Sequence, residues 1–174
     1  EKYLDLGETS TRLLGVDYQA DGWTAYLSIG SLSPAGESTE LEEIYAVVNG
    51  EKVVKVPHGT QSGAIISGAV LPDGKGLTLL QYQIINLGES TKGYAYQLAN
   101  YFLDKDPEVL LESADKETGT FSGYSGYPWP IQWSKDGKTL YLNGASKLFA
   151  DGNNAELVSY STDTKKLKKK KKAS

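Results

Sequence analysis

The 174-residue chain has no cysteine, no methionine, one histidine and no apolar run approaching the ~18 residues of a membrane-spanning helix. Without cysteine there are no disulfides, no thiol nucleophile and no thiolate-ligated zinc, and cysteine usage leaves the redox compartment open. With no methionine, a chain opening on Glu1 is expected to be processed or trimmed. The lone His58 sits between Pro57 and Gly59, with Gln61 and Ser62 nearby and no adjacent aspartate. A general base needs an orienting partner, and none is legible beside it. There is no Gly-x-Ser-x-Gly elbow and no phosphate-binding loop; Ser122-Gly123-Tyr124-Ser125-Gly126 has the glycines in the wrong order.

Positive charge is also scarce outside one place. The formal net charge is −4, yet residues 165–174 hold seven lysines and no acid. Setting those seven aside leaves 11 basic against 22 acidic residues, a net of −11 for residues 1–164. So acidic a body argues against a nucleic-acid partner, which would need a basic surface. Blocks of like charge are usually solvated, and the lysine run reads as a solvated tail that protects an open sheet edge, the alternative being a tail that binds a membrane or polyanion.

What the sequence does contain is short apolar runs cut by turn residues. Leu13–Tyr18, Trp23–Ile29, Leu41–Val48, Lys52–Val56, Ala64–Leu71, Leu77–Leu87, Tyr94–Leu103, Glu108–Leu111, Pro128–Trp133, Thr139–Leu142 and Ala155–Tyr160 read as strands, and Leu167–Lys172 as a last one. Between them stand Asp21-Gly22, Asn49-Gly50, Asp73-Gly74, Asp136-Gly137 and Asp163-Thr164 as turns. Leu41, Ile44, Val47 and Val48 also fit a short helix by spacing, but Tyr45 and the valines favour a strand. Leu77–Leu87 is apolar on both faces, which predicts a central strand covered on two sides. Gly68 within Ala64–Leu71 predicts a bulge or a close approach. Leu79, Ile84, Ile85, Trp133, Leu140, Leu142 and Val158 are the predicted core.

The runs group into three units, 13–57, 63–112 and 128–170, each of four antiparallel strands, in a single β-domain over 1–164 with a lysine-rich tail over 165–174. Asp21, Asp73 and Asp136 mark corresponding turns. An all-β fold of about three propeller-like blades follows, with an up-and-down β-barrel as the alternative.

The third unit reads Trp133-Ser134-Lys135-Asp136-Gly137-Lys138-Thr139-Leu140-Tyr141, then Glu156-Leu157-Val158-Ser159-Tyr160 and Asp163-Thr164-Lys165-Lys166-Leu167. This stretch resembles the blades of TolB-like and prolyl-oligopeptidase-type β-propellers. The second unit shares only Leu71-Pro72-Asp73-Gly74-Lys75, and the first only Asp21-Gly22. The resemblance implies a bacterial protein of the cell envelope or exterior that binds or scaffolds and does not catalyse. Its alternatives are the accessory propeller domain of a hydrolase whose catalytic part lies elsewhere, and a purely structural β-domain. A closed propeller needs at least four blades, so open blade edges imply self-association or a longer array.

Two candidate sites stand out. Tyr124, Tyr127 and Trp129 cluster in a loop stiffened by Pro128 and Pro130, and rigid aromatics suit a protein, peptide or glycan ligand. Against that, Trp129 also fits the start of a blade strand, packed in the core. Asp151 and Asn153 offer oxygen ligands to calcium, although Asp-Gly and Asn are also ordinary turn residues.

Overall fold

The structure, a computed structural model, describes residues 9–31, 43–57, 64–86, 92–112, 131–143 and 157–169. It is all-β, with no helix among the described residues. The first sheet comprises β1 (Thr9–Gln19), β2 (Gly22–Ser31), β3 (Glu43–Val48) and β4 (Lys52–Lys55). The middle sheet comprises β5 (Ala64–Val70), β6 (Gly76–Asn86), β7 (Lys92–Phe102) and β8 (Glu108–Glu112). The last comprises β9 (Ile131–Trp133), β10 (Thr139–Asn143), β11 (Leu157–Ser161) and β12 (Lys166–Lys169). Within each sheet every described strand pairs antiparallel with its sequence neighbour, so the described residues form three separate open meanders and not the single closed one of a barrel. Leu41–Val48, ambiguous by spacing, is a strand over Glu43–Val48.

Two turns are near copies, 63 residues apart. In one, Gly74 N–H donates to Leu71 C=O at 2.9 Å, Leu71 N–H to Gly76 C=O at 2.9 Å, and Lys75 N–H to Asp73 Oδ1 at 3.1 Å. In the other, Gly137 N–H donates to Ser134 C=O at 2.9 Å, Ser134 N–H to Thr139 C=O at 2.7 Å, and Lys138 N–H to Asp136 Oδ1 at 3.1 Å. Gly74 and Gly137 hold φ of 70° and 69°, left-handed values that a side chain would strain. Asp136 Oδ1 also accepts from Ser134 Oγ at 2.6 Å, and these bonds, the serine's first, hold its carboxyl below the usual range.

Asp21-Gly22 does not form a third copy. The turn there is Ala20-Asp21, and Gly22 already pairs with Gln19 as the first residue of β2. Asn49 explains the difference: its Oδ1 accepts from Trp23 N–H at 2.7 Å and its own N–H donates to Trp23 C=O at 2.8 Å. A Cβ on Gly22 would lie 2.0 Å from that Oδ1, so the clamp requires glycine.

The ladders repeat as well. Register slips between Leu13 and Gly15 in β1, and between Ile65 and Ser67 in β5, place a bulge at the same point of the first and middle sheets. Gly68, one residue further on, meets Leu79 and Leu14 closely, so β5 has both the bulge and the tight contact expected around it. Arg12 Nη2 reaches across from the first sheet to Ile65 C=O at 2.5 Å.

Tyr26, Ile44, Ala46 and Val56 of the first sheet pack on Ile65, Leu77, Leu79, Ala99 and Tyr101 of the middle one. On the opposite face of β6, Thr78 Oγ1 accepts from the Trp133 indole N–H at 2.9 Å and donates to Asn100 Oδ1 at 2.7 Å. Leu77 to Gln81 are all buried, so β6 is covered on both sides as its composition predicts. Leu79, Leu140 and Leu142 are fully buried. Trp133 is only half-buried, because its indole edge spans the seam between two sheets. The side chains of Ile84, Ile85 and Val158 lie outside those described.

Candidate functional site

The residues singled out by sequence, Tyr124, Tyr127 and Trp129 for a ligand and Asp151 and Asn153 for calcium, lie outside the described residues, as does His58. Among the described residues no group of three or more histidine, cysteine, aspartate or glutamate side chains is placed to hold a metal.

The described residues instead form a cleft of about 320 Å³ where turns of the first and middle sheets converge. Gln19, Asp21, Trp23 and Asn49 line one wall, and Asp73, Lys75, Leu103 and Asp104 the other. Its walls are tied together. Gln19 Nε2 donates to Asp17 Oδ2 at 2.7 Å and to Asp73 C=O at 3.4 Å. Beneath them the Tyr26 hydroxyl donates to Gly74 C=O at 3.1 Å. The sequence signal for this cleft was the recurrence of Asp-Gly turns; what it could not show is that turns from two sheets would face one another.

Burial, reinforced by Asp17 and Asp73, pushes the Tyr26 hydroxyl up to about 12; burial does the same for Tyr101, against a small opposing effect of its bond to Gln81 Oε1. In the unfolded chain both ionise near pH ~10. The folded state therefore keeps protons that the unfolded state has lost, so stability is complete below pH ~10 and falls as pH rises toward 12. Urea midpoints should drop between pH 9 and pH 11, by less in Tyr101→Phe; identical losses in the two proteins would show that the hydroxyl ionises freely.

A second feature is the far face of the first sheet. Strand alternation puts Trp23, Ala25, Leu27 and Ile29 on it, opposite the face that meets the middle sheet. Cross-strand rows add Tyr18, the series Val16–Ala25–Val47–Val53, and Leu13–Leu27–Tyr45. Leu13 is 59% exposed, Tyr18 79%, Val53 43% and Trp23 37%. At the margin Glu43 accepts from the Tyr45 hydroxyl and from Lys55 Nζ, both at 2.5 Å, which raises the pKa of both donors.

Comparison with protein-family models, with curated proteins and with solved structures finds no match for this chain.

Proposed function

We propose that the chain is a non-catalytic binding module built of propeller-like blades, acting at the bacterial cell envelope or outside the cell. Three four-stranded meanders in sequence order support the blade reading. So do the bulge shared by β1 and β5 and the turn shared by the middle and last sheets. β1 lies beside β5 and β5 beside β9, so the first strand of each sheet stands in one file, as innermost blade strands do.

The observation that carries the binding reading is the cleft. Its volume falls in the range of small-ligand sites, and its walls are set by hydrogen bonds between two sheets, which limits the ordering cost on binding. Asp21, Asp73 and Asp104 give it acidic walls, in keeping with the acidic body. A short peptide presenting a lysine or arginine side chain is the ligand this chemistry fits.

Arrays of short peptides and of glycans, probed with the full chain, test the proposal. Signals on basic peptides should fall at least tenfold in Asp104→Lys, a change at an exposed position with no bond to the walls. Blank arrays, or signals indifferent to Asp104, would remove the cleft as a binding site.

A further inference from the structure

The two contacts between sheets share one polarity. In each sheet the same hairpin positions pair: Tyr18 with Trp23, Val70 with Leu77, Trp133 with Leu140. In the middle sheet this face, through Leu77 and Leu79, lies on the first sheet. In the last sheet it lies on the middle one, with Trp133 bonded to Thr78. Each sheet thus presents the same face backward to its predecessor. In the first sheet that face is the exposed apolar one, and four of the five large exposed hydrophobics among the described residues, Leu13, Tyr18, Trp23 and Val53, lie on it. The fifth, Val109, is on the middle sheet.

We infer that this face docks a second copy of the chain, through the outer face of that copy's last sheet. The outer face carries the row Gln132–Tyr141–Ser159–Lys168. Its first three members hold the register positions of Ala69, Thr78 and Asn100, the row that the last sheet covers on the middle one. The proposed contact therefore continues a packing already made twice within the chain. Tyr18 occupies the position of Trp133, and Tyr141 that of Thr78, so the Tyr18 hydroxyl takes the place of the indole N–H that bridges the existing seam. The margin suits a protein partner: Glu43, Tyr45 and Lys55 satisfy one another beside an apolar centre.

A head-to-tail contact either closes into a ring or runs on as a filament. Three sheets are fewer than the smallest propeller ring, while two copies bring six, within the range of four to eight. Four strands spaced ~4.8 Å apart, each about six residues long, present roughly 380 Å² of sheet face. Ring closure uses two faces per copy and withdraws roughly 1,500 Å², close to the ~1,600 Å² of standard stable interfaces.

Light scattering over a concentration series, with the full chain, tests the inference. The expected mass is twice the 18.9 kDa of one chain. Leu13→Lys with Val53→Lys blocks the apolar face, and Gln132→Lys with Tyr141→Lys blocks the other. Each double variant should weaken dimerisation about a hundredfold, with far-UV circular dichroism and melting confirming that it folds. Mixing the two should restore part of the dimer, because one of the two contacts is then intact. A monomeric wild type, masses that grow without limit, or a Gln132 and Tyr141 variant that still dimerises would each overturn the inference. Trp23 belongs to both the cleft and this face, but the four substituted positions line no part of the cleft, so its ligand is tested separately on the arrays.

Discussion

Replacing Leu79 with alanine should cost about 2–5 kcal/mol, the range for buried leucines whose surroundings cannot collapse. Leu79 is fully buried in β6, in the cluster that joins the first and middle sheets. Its side chain fills the space over Gly68, where an added Cβ would come within 3.0 Å of it. The cavity left by truncation is bounded by strand backbone on the β5 side, which relaxes little. Equilibrium urea unfolding gives the loss directly. Val109→Ala, at a position 43% exposed and outside the docking face proposed above, is the control and should change stability by less than about 1 kcal/mol. Similar losses at the two positions would mean that the contact between the first two sheets contributes little to stability.

Gly76→Ala should be at least as damaging, by the opposite mechanism. A Cβ at Gly76 would lie 2.0 Å from the Tyr101 carbonyl oxygen and 3.1 Å from its carbon. Both are backbone atoms in β7, paired along the whole length of β6, so they cannot move without disturbing the ladder. Overpacking typically costs about 1–3 kcal/mol, and a clash with backbone that cannot give way falls at or beyond the upper end of that range. The same change at Gly50, whose nearest neighbour is the edge of the Trp23 ring at 3.4 Å, should be milder, limited to the strain of its φ of 71°. A Gly76→Ala protein with an unchanged urea midpoint would show that β7 shifts freely over β6.

The strands were legible because their signals are local. Asn49-Gly50 predicts a turn with two left-handed residues, and φ of 52° and 71° are what the chain adopts there. The run after Gly76, apolar on both faces despite Thr78 and Gln81, predicts coverage on two sides, and Leu77 to Gln81 have it. The Asp21-Gly22 turn was misread because the residue that decides it, Asn49, clamps Trp23 from 26 positions further along the chain. Trp133 was misplaced for a similar reason: its partner Thr78 lies 55 residues upstream. The cleft was invisible for the same cause, since Asp21, Asp73 and Asp104 come together only when turns of separate sheets meet. The candidates based on composition, the aromatic loop at Tyr124, Tyr127 and Trp129 and the Asp151 and Asn153 pair, fall outside the described residues and are not judged by this geometry.

Because each described strand hydrogen-bonds only to strands next to it in sequence, no ladder waits on the arrival of a distant segment. Loop closure within a sheet joins residues separated by a short turn or a single connecting segment, and its entropic cost rises only with the logarithm of that separation. All-β proteins usually fold slowly because their pairings are remote. Here the remote step is confined to the docking of finished sheets, where Tyr26 must find Gly74 and Trp133 must find Thr78. Refolding should then proceed in two stages that different probes separate. Far-UV circular dichroism should report early ladder formation, and Trp133 fluorescence the later closing of the seam between the middle and last sheets.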